Sequence, residues 1–167
     1  MNSAKKLIGI TSILLILCSP TVKAEKVPDT NGVNTAWKTY MSYRAVTDTK
    51  SKQYELQQKA YTDRNGLRKY AGRYLVAVGI PYGKVGDYID VVMDNGEVLN
   101  CIIGDSKGDR YWHLVYGEDG KILSYNVVEF IVDTPELDGK AKEWGDISKI
   151  DGFYGNVTEI INKEEHK

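Results

Sequence analysis

The sequence predicts a mainly β domain: a closed or nearly closed β-barrel of six or seven strands, preceded by a helical segment. Two observations predict this fold class. After Gly72 the chain is rich in β-branched and aromatic residues, arranged in short runs that are separated by turn residues. Before Gly72 the apolar residues are instead spaced as on one face of a helix. Closely spaced short strands without long helices between them are typical of barrels.

The chain begins with the three parts of a secretory signal peptide, over residues 1–24. Lys5-Lys6 is a positive region, residues 7–18 are an apolar run of twelve, and Val22-Lys23-Ala24 is suited to cleavage. This run is shorter than the roughly 20 residues that a transmembrane helix needs. We therefore expect cleavage after about Ala24, secretion or association with the cell envelope, and no stable membrane anchor. A short uncleaved anchor is the alternative.

Charge and cysteine content exclude several classes of protein. The chain has 22 basic and 23 acidic residues, and removal of the three lysines in residues 1–24 leaves a net charge of −4. Without a basic cluster, nucleic acid is a poor partner. Cys101 is the only cysteine after residue 24, so the mature chain has no intramolecular disulfide. An exported domain of this size without disulfides favours a bacterial source.

The predicted elements follow in chain order. Residues 25–33 are polar and predict a flexible leader, and residues 34–62 predict a helical segment in two short pieces, interrupted near Thr47. Asp63-Arg64-Asn65-Gly66 predicts a turn. The β-barrel domain is then predicted over residues 63–167. Its strands are predicted at 74–80, 88–93, 98–103, 112–116, 122–125, 127–132 and 157–161, with a short helix at 137–144. Asp94-Asn95-Gly96 is a strong hairpin signal between the second and third of these.

Metal and thiol chemistry have little support in the sequence. No pair of cysteines or histidines has the spacing of a zinc site, and we predict neither a metal nor a cofactor. Cys101 and His113 are the only residues that could form a catalytic thiol–imidazole pair. Cys101 lies inside an apolar strand, however, where a cysteine is most often a small core residue.

Two carboxylates are the candidate catalytic residues. Asp105 follows an apolar strand and a glycine, so we expect it at the rim of the barrel, where it could approach a ligand or simply begin a turn. Glu129 interrupts the apolar strand that contains Val128 and Phe130. Strand alternation would turn Glu129 towards solvent, and the other possibility is a cleft that perturbs its pKa.

The segments VAVGIPYGKVGDYIDVV (76–92), GEVLNCIIGD (96–105) and NVVEFIVD (126–133) resemble a known family. They are similar to the double-psi β-barrel of the three-aspartate type, which occurs in bacterial cell-wall lytic transglycosylases and in short exported proteins of Firmicutes and prophages. The resemblance covers about 60 residues and implies a six- to seven-stranded barrel that acts on peptidoglycan glycan strands.

The resemblance also implies roles for individual residues. Asp105 matches the central aspartate of the family, Glu129 stands where a further aspartate is found, and Gly79 stands where the first aspartate is expected. In lytic cleavage one carboxyl protonates the glycosidic oxygen and then deprotonates the C6 hydroxyl of the sugar, whereas an ordinary glycosidase uses two carboxyls. The candidate substrate-binding residues are Tyr82, Lys107, Tyr111 and Trp112, and for the aromatic ones core packing is the alternative.

Two functions therefore remain open at this point. The first is lytic cleavage of wall glycan, with Asp105 as acid and base. The second is a barrel that binds the cell wall or a protein partner without cleaving it, which the glycine at position 79 favours.

Overall fold

A computed structural model describes residues 22–163, so most of the predicted signal peptide lies outside the described residues. The fold is mainly β, with 37% strand and 18% helix. The strands are β1 (Lys23–Lys26), β2 (Tyr40–Ser42), β3 (Tyr61–Thr62), β4 (Arg68–Tyr70), β5 (Arg73–Val78), β6 (Tyr88–Met93), β7 (Val98–Ser106), β8 (His113–Tyr116), β9 (Ile122–Asn126), β10 (Glu129–Val132) and β11 (Val157–Asn162). The α-helices are α1 (Lys52–Lys59) and α2 (Gly139–Trp144), and 3₁₀ turns lie at Tyr43–Ala45, Ile80–Tyr82, Thr134–Glu136 and Ile147–Lys149.

Seven strands form one continuous path, in the order β1-β11-β6-β7-β5-β10-β2, and β3 and β4 attach at β5. Most neighbours are antiparallel, but β5 is parallel to β7 and β10 is parallel to β2. Strands β8 and β9 form a separate two-stranded ribbon. Among the described residues β2 does not pair with β1 or β11, so the strands do not close into a complete barrel.

One large core occupies one side of this sheet. It draws buried side chains from every strand between β11 and β10, and α2 and the following 3₁₀ turn cover it. Phe130 lies at its centre, edge-on to Phe153 at 5.4 Å between ring centroids and to Tyr74 at 6.0 Å. Edge-to-face rings add to the free energy of area burial.

A smaller apolar cluster lies on the other side of the sheet, under α1. Leu56 of α1 packs there with Leu75, Ile102 and Ile131. The hydroxyl of Ser51 caps the helix by accepting the Tyr54 N–H at 3.1 Å. The two clusters use alternate residues of β5, which is the expected result for a strand covered on both faces.

Local sequence signals predicted much of this β structure. The predicted strand at 88–93 coincides with β6, and the Asp94-Asn95-Gly96 signal does join β6 to β7 as an antiparallel hairpin. The predicted turn at residues 63–66 is closed by a hydrogen bond from the Gly66 N–H to the Asp63 carbonyl at 3.0 Å.

The prediction of a helical segment over residues 34–62 is wrong in its first half. Helix α1 lies within the predicted second piece, but residues 40–42 form β2 and residues 43–45 a 3₁₀ turn. Tyr40 packs on the large core while Met41 packs on the smaller cluster, so the spacing is that of a strand between two apolar layers. Pairing with β10 supplies the backbone hydrogen bonds that stabilise the extended form.

The predicted leader 25–33 also differs from the structure. Its first residues belong to β1, which pairs antiparallel with β11, and the Val27 N–H donates to the Thr158 carbonyl at 3.0 Å. The segment before β2 contacts the same strand, because the Thr35 hydroxyl donates to the Val157 carbonyl at 2.8 Å. These contacts bring the two ends of the strand path close together.

Candidate functional site

Asp105 and Glu129 lie in one row across three strands. Ala77 of β5 is in register with Asp105 of β7 on one side and with Glu129 of β10 on the other. The ladder of β5 with β7 shifts register between Val76 and Ala77, so Asp105 lies just after this irregularity. The two acids that the sequence singles out therefore lie opposite the same residue of β5, with their backbones separated by about 10 Å across two strand spacings.

Asp105 is inside β7 rather than beyond its end, because that strand continues to Ser106. It is half-buried, and its Oδ1 accepts the N–H of Ser106 at 2.8 Å. Such a bond orients the carboxylate at the end of the strand, as in the turn-forming alternative.

Glu129 accepts one side-chain hydrogen bond and has a cation close to it. Its Oε1 accepts the hydroxyl of Thr39 at 3.0 Å, and its Oε2 lies 4.0 Å from the Nζ of Lys107. The amide of Asn126 donates in turn to the Thr39 hydroxyl. The flanking Val128 and Phe130 are fully buried, so Glu129 points away from the core as strand alternation predicts.

Lys107 is unusual for a surface loop because its side chain is only 3% exposed. Burial lowers the pKa of its amine from 10.5 to about 8, and the carboxylate of Glu129 partly opposes this shift. The Lys107 backbone is fixed as well, since its N–H donates to the Val78 carbonyl at 2.9 Å and its carbonyl contacts His113 Nε2 at 2.9 Å. The Lys107 amine is therefore buried, and the carboxylate of Glu129 is its charge partner.

An aromatic group follows in residues 111–112. Trp112 stacks on Tyr125 with the ring planes 6° apart and the centroids at 4.7 Å. Tyr111 lies edge-on to Tyr82 at 5.5 Å, and its hydroxyl donates to Glu25 of β1 at 3.2 Å. These contacts from β1, β9 and the core hold both rings in fixed orientations.

Two cavities open beside these rings and share Arg110 and Leu114. One of about 320 Å³ is completed by Tyr111 and Trp112. The other, of about 430 Å³, has a more polar lining. Its remaining lining residues are Lys107, Asp109, His113 and Tyr116. A cleft with aromatic walls and a few polar groups is typical of ligand sites in proteins.

The loop over residues 107–112 rests on Gly79. A Cβ atom at that position would lie 1.8 Å from the carbonyl oxygen of Arg110. The Ile80 N–H donates to the Gly108 carbonyl at 2.8 Å beside this contact. Position 79, where the resemblance expects an aspartate, therefore has no room for any side chain while the loop is in place.

The structure places the remaining candidates in the core. Tyr82 is 1% exposed, its hydroxyl has no hydrogen-bond partner, and burial raises the pKa of this hydroxyl. It supports the Tyr111 ring from below and cannot contact a ligand on the surface. Cys101 is fully buried, and burial raises the pKa of its thiol. It is the core residue that its apolar strand suggested.

The sequence did not single out three polar residues that matter for this site or its support. Thr39 donates to Glu129 from a segment that is remote in sequence, and Asn126 donates to the Thr39 hydroxyl. Lys38 is fully buried and donates to the carbonyls of Ala36 at 2.9 Å and Gly155 at 2.8 Å. Burial lowers the pKa of Lys38 to about 8 although Asp146 raises it. No local pattern distinguishes these residues from solvated ones.

Comparison with family models, curated proteins and solved structures finds no match for this chain. Within residues 22–163 no group of three or more histidine, cysteine, aspartate or glutamate side chains is arranged to hold a metal ion. No helix in the same part of the chain is long and apolar enough to cross a membrane.

Proposed function

We propose that the protein is an exported bacterial module that binds the glycan strands of peptidoglycan without cleaving them. The observation that carries this proposal is the preformed aromatic cleft of Tyr111, Trp112 and Leu114, next to a polar cavity. The signal-like pattern of residues 1–24 supports export to the compartment where the wall is found.

The aromatic cleft suits a sugar chain for two reasons. The C–H face of a pyranose ring is apolar and packs on an aromatic face, while its hydroxyls need polar partners at the edge. Trp112 is fixed by its stacking on Tyr125, so little conformational entropy is lost when a ligand binds. The adjoining cavity offers charged and imidazole groups from Asp109, Arg110 and His113.

The surroundings of the acids favour binding over cleavage. Both carboxylate oxygens of Glu129 already have partners, since Oε1 accepts a hydrogen bond from Thr39 and Oε2 lies 4.0 Å from the Lys107 amine. Gly79 has no space for the further acid that the family resemblance leads one to expect.

Lytic cleavage is the second candidate, and one observation favours it. Asp105 is half-buried at the end of β7 and in the same row as Glu129. A single carboxyl that protonates the leaving oxygen and then deprotonates the C6 hydroxyl would be sufficient for this chemistry. In this alternative Asp105 is the catalytic residue, and Glu129 and Lys107 set the charge around it.

The strand order supports the finer assignment of a double-psi barrel as part of this proposal. Strand β7 lies between β5 and β6, and β10 lies between β2 and β5. Strand β7 is parallel to β5 and antiparallel to β6, and β10 is likewise parallel to β2 and antiparallel to β5. The contact of Thr35 with Val157 is where such a barrel would close.

Co-sedimentation with insoluble peptidoglycan tests the proposal. We expect the wild-type protein in the pellet, and Trp112→Ala largely in the supernatant. Trp144→Ala is the matched control, because Trp144 is a 58% exposed tryptophan on α2 outside the cleft, and it should bind like wild type. Circular dichroism of each variant verifies that it is folded.

Analysis of the supernatant separates the two candidate functions. A binding module releases no anhydro-muropeptides, and Asp105→Asn binds as wild type does. Release by wild type that is lost in Asp105→Asn would establish cleavage and refute the binding-only proposal. A wild-type protein that does not sediment with the wall and releases nothing would refute both.

A further inference from the structure

Arg110 lies between the two cavities of the candidate site, because it lines both of them. Its carbonyl packs directly against Gly79. The next residue, Tyr111, is held by its hydrogen bond to Glu25 and by its edge-on contact with Tyr82. The side chain of Arg110 therefore extends from a fixed backbone position at the edge of the aromatic cleft.

The guanidinium of Arg110 has no charge partner in the described part of the chain. The residue is exposed, and within residues 22–163 it forms no ion pair and stacks on no aromatic ring. Lys107 of the polar cavity differs in this respect, because the carboxylate of Glu129 lies 4.0 Å from its amine. A guanidinium is always charged, and its planar fork of N–H donors matches the two oxygens of a carboxylate.

The charges around the cleft favour an anion on its aromatic side. Of the four described residues that line the aromatic cavity, Arg110 alone is charged. Asp109, the acidic residue next to it in sequence, lines the polar cavity and not the aromatic one. A sugar that stacks in the aromatic cavity would therefore place its substituents beside an unpaired positive charge.

We propose that this cleft selects glycan that carries carboxylates, and that the guanidinium of Arg110 binds the carboxylate. The inference rests on the proposed function and adds a substrate class to it. Alternate sugars of peptidoglycan carry a lactyl ether that ends in a carboxyl group, whereas chitin has the same linkage and N-acetylated sugars without this group. Where wall peptides are attached, the lactyl carboxyl is an amide and the carboxylates lie on the peptide instead.

The size of the effect follows from where the contact lies. A fully exposed ion pair strengthens binding by a factor of about five at most. A bidentate contact between arginine and a carboxylate is stronger, and a sugar bound in the adjoining cleft would shield it from water on one side. We therefore expect at least about a fivefold preference for the carboxylated glycan, and added salt should reduce this preference.

Isothermal titration calorimetry with two soluble tetrasaccharides tests the proposal. One is chitotetraose, and the other is the peptide-free tetrasaccharide of the wall, which differs from it by its lactyl groups. For wild type we expect the dissociation constant of the wall tetrasaccharide to be at least about fivefold smaller. In Arg110→Gln the ratio of the two constants should fall to about one, and Arg110→Lys, which keeps the charge but not the fork, should give an intermediate ratio.

Arg64→Gln is the matched control variant. Arg64 is an exposed arginine that lines neither cavity, so its substitution changes the net charge equally and should keep the wild-type ratio. Asp109→Asn should enlarge the ratio, because it removes the negative charge next to Arg110 in sequence. Circular dichroism of each variant verifies that it is folded.

A peptide-bearing wall fragment as a third ligand identifies the source of the carboxylate. If it binds wild type as tightly as the peptide-free tetrasaccharide and loses this affinity in Arg110→Gln, the guanidinium also accepts peptide carboxylates. If only the peptide-free tetrasaccharide shows the preference, the lactyl carboxylate is the group that Arg110 binds. Either result supports the proposal.

Three outcomes would overturn it. Equal affinity of wild type for all three ligands would refute selection by charge while glycan binding itself stands. A preference that persists in Arg110→Gln, or that is lost equally in Arg64→Gln, would show that another group or the overall charge is responsible. A wild-type protein that binds none of the ligands and does not sediment with the wall would refute the proposed function as well.

Discussion

Gly79 is the position where the structure leaves least room for a side chain. In Gly79→Ala the new methyl carbon would lie 1.8 Å from the carbonyl oxygen and 2.9 Å from the carbonyl carbon of Arg110. Carbon–oxygen contacts in proteins are normally no closer than about 3.3 Å, so the Arg110 peptide must move by about 1.5 Å. The displaced atoms belong to a backbone segment and cannot avoid the methyl group by changing a rotamer.

The cost of this movement follows from what holds the loop. Overpacking costs about 1–3 kcal/mol when neighbouring backbone must shift. Two hydrogen bonds flank the contact, from Lys107 N–H to the Val78 carbonyl at 2.9 Å and from Ile80 N–H to the Gly108 carbonyl at 2.8 Å. Losing them adds about 1 kcal/mol each. We expect Gly79→Ala to lower the free energy of unfolding by about 3–5 kcal/mol.

Urea denaturation followed by tryptophan fluorescence measures this difference. Gly139→Ala is the matched control, because Gly139 begins α2 and a Cβ there meets nothing within 4 Å. Its midpoint should stay the same or rise slightly, since alanine favours a helix over glycine. If Gly79→Ala unfolds at the same urea concentration as Gly139→Ala, the loop does not rest on Gly79 and the steric reason for the absent acid is wrong.

Three further predictions concern polar contacts. Because the pKa of Lys107 falls from 10.5 in the unfolded chain to about 8, the unfolded state binds more protons between these values. The free energy of unfolding should therefore rise with pH above about 8, by up to about 1.4 kcal/mol per pH unit. Urea titrations at several pH values measure this rise, and Lys107→Met should remove the part of it that comes from Lys107. Glu129→Gln removes the charge that raises the pKa of Lys107, so NMR titration of that amine should give a lower pKa, and an unchanged value would contradict the pairing. Asn156→Ala removes a bond to Asp94 at 2.7 Å and one from Thr35 N–H at 2.8 Å, and should cost about 2 kcal/mol in the same urea assay.

Strands with a clear local apolar run or turn signal were predictable, and β1 and β2 were not. The hairpin of β6 and β7 was predictable because Asn95-Gly96 favours the positive φ of a tight turn, and Gly96 has φ 86°. Strands β1 and β2 have no such signal, and each depends on a remote partner for its backbone hydrogen bonds. Residues 40–43 matched a helical spacing only because a short apolar run fits the period of a helix and that of a strand equally well.

The candidate site was predictable as a set of residue types but not as an arrangement. Asp105 and Glu129 stood out because each interrupts or ends an apolar strand. Their common row required the register of β5 with two strands that are distant in sequence. The burial of Lys107 could not be predicted, since a lysine in a polar loop is normally solvated.

The sequence by itself determined the mainly β class, the hairpin turn between β6 and β7, and the alternation that sends Val128 and Phe130 inward. These features depend on the backbone torsion angles of turns and on the alternation of buried and exposed residues along a strand. Both are encoded over a few consecutive residues. Only the tertiary structure decided the strand order, the pairing of Lys107 with Glu129, and the close approach of Arg110 to Gly79. Backbone hydrogen bonds are the same for every residue type, so strand pairing depends on how the whole core packs and not on any local pattern.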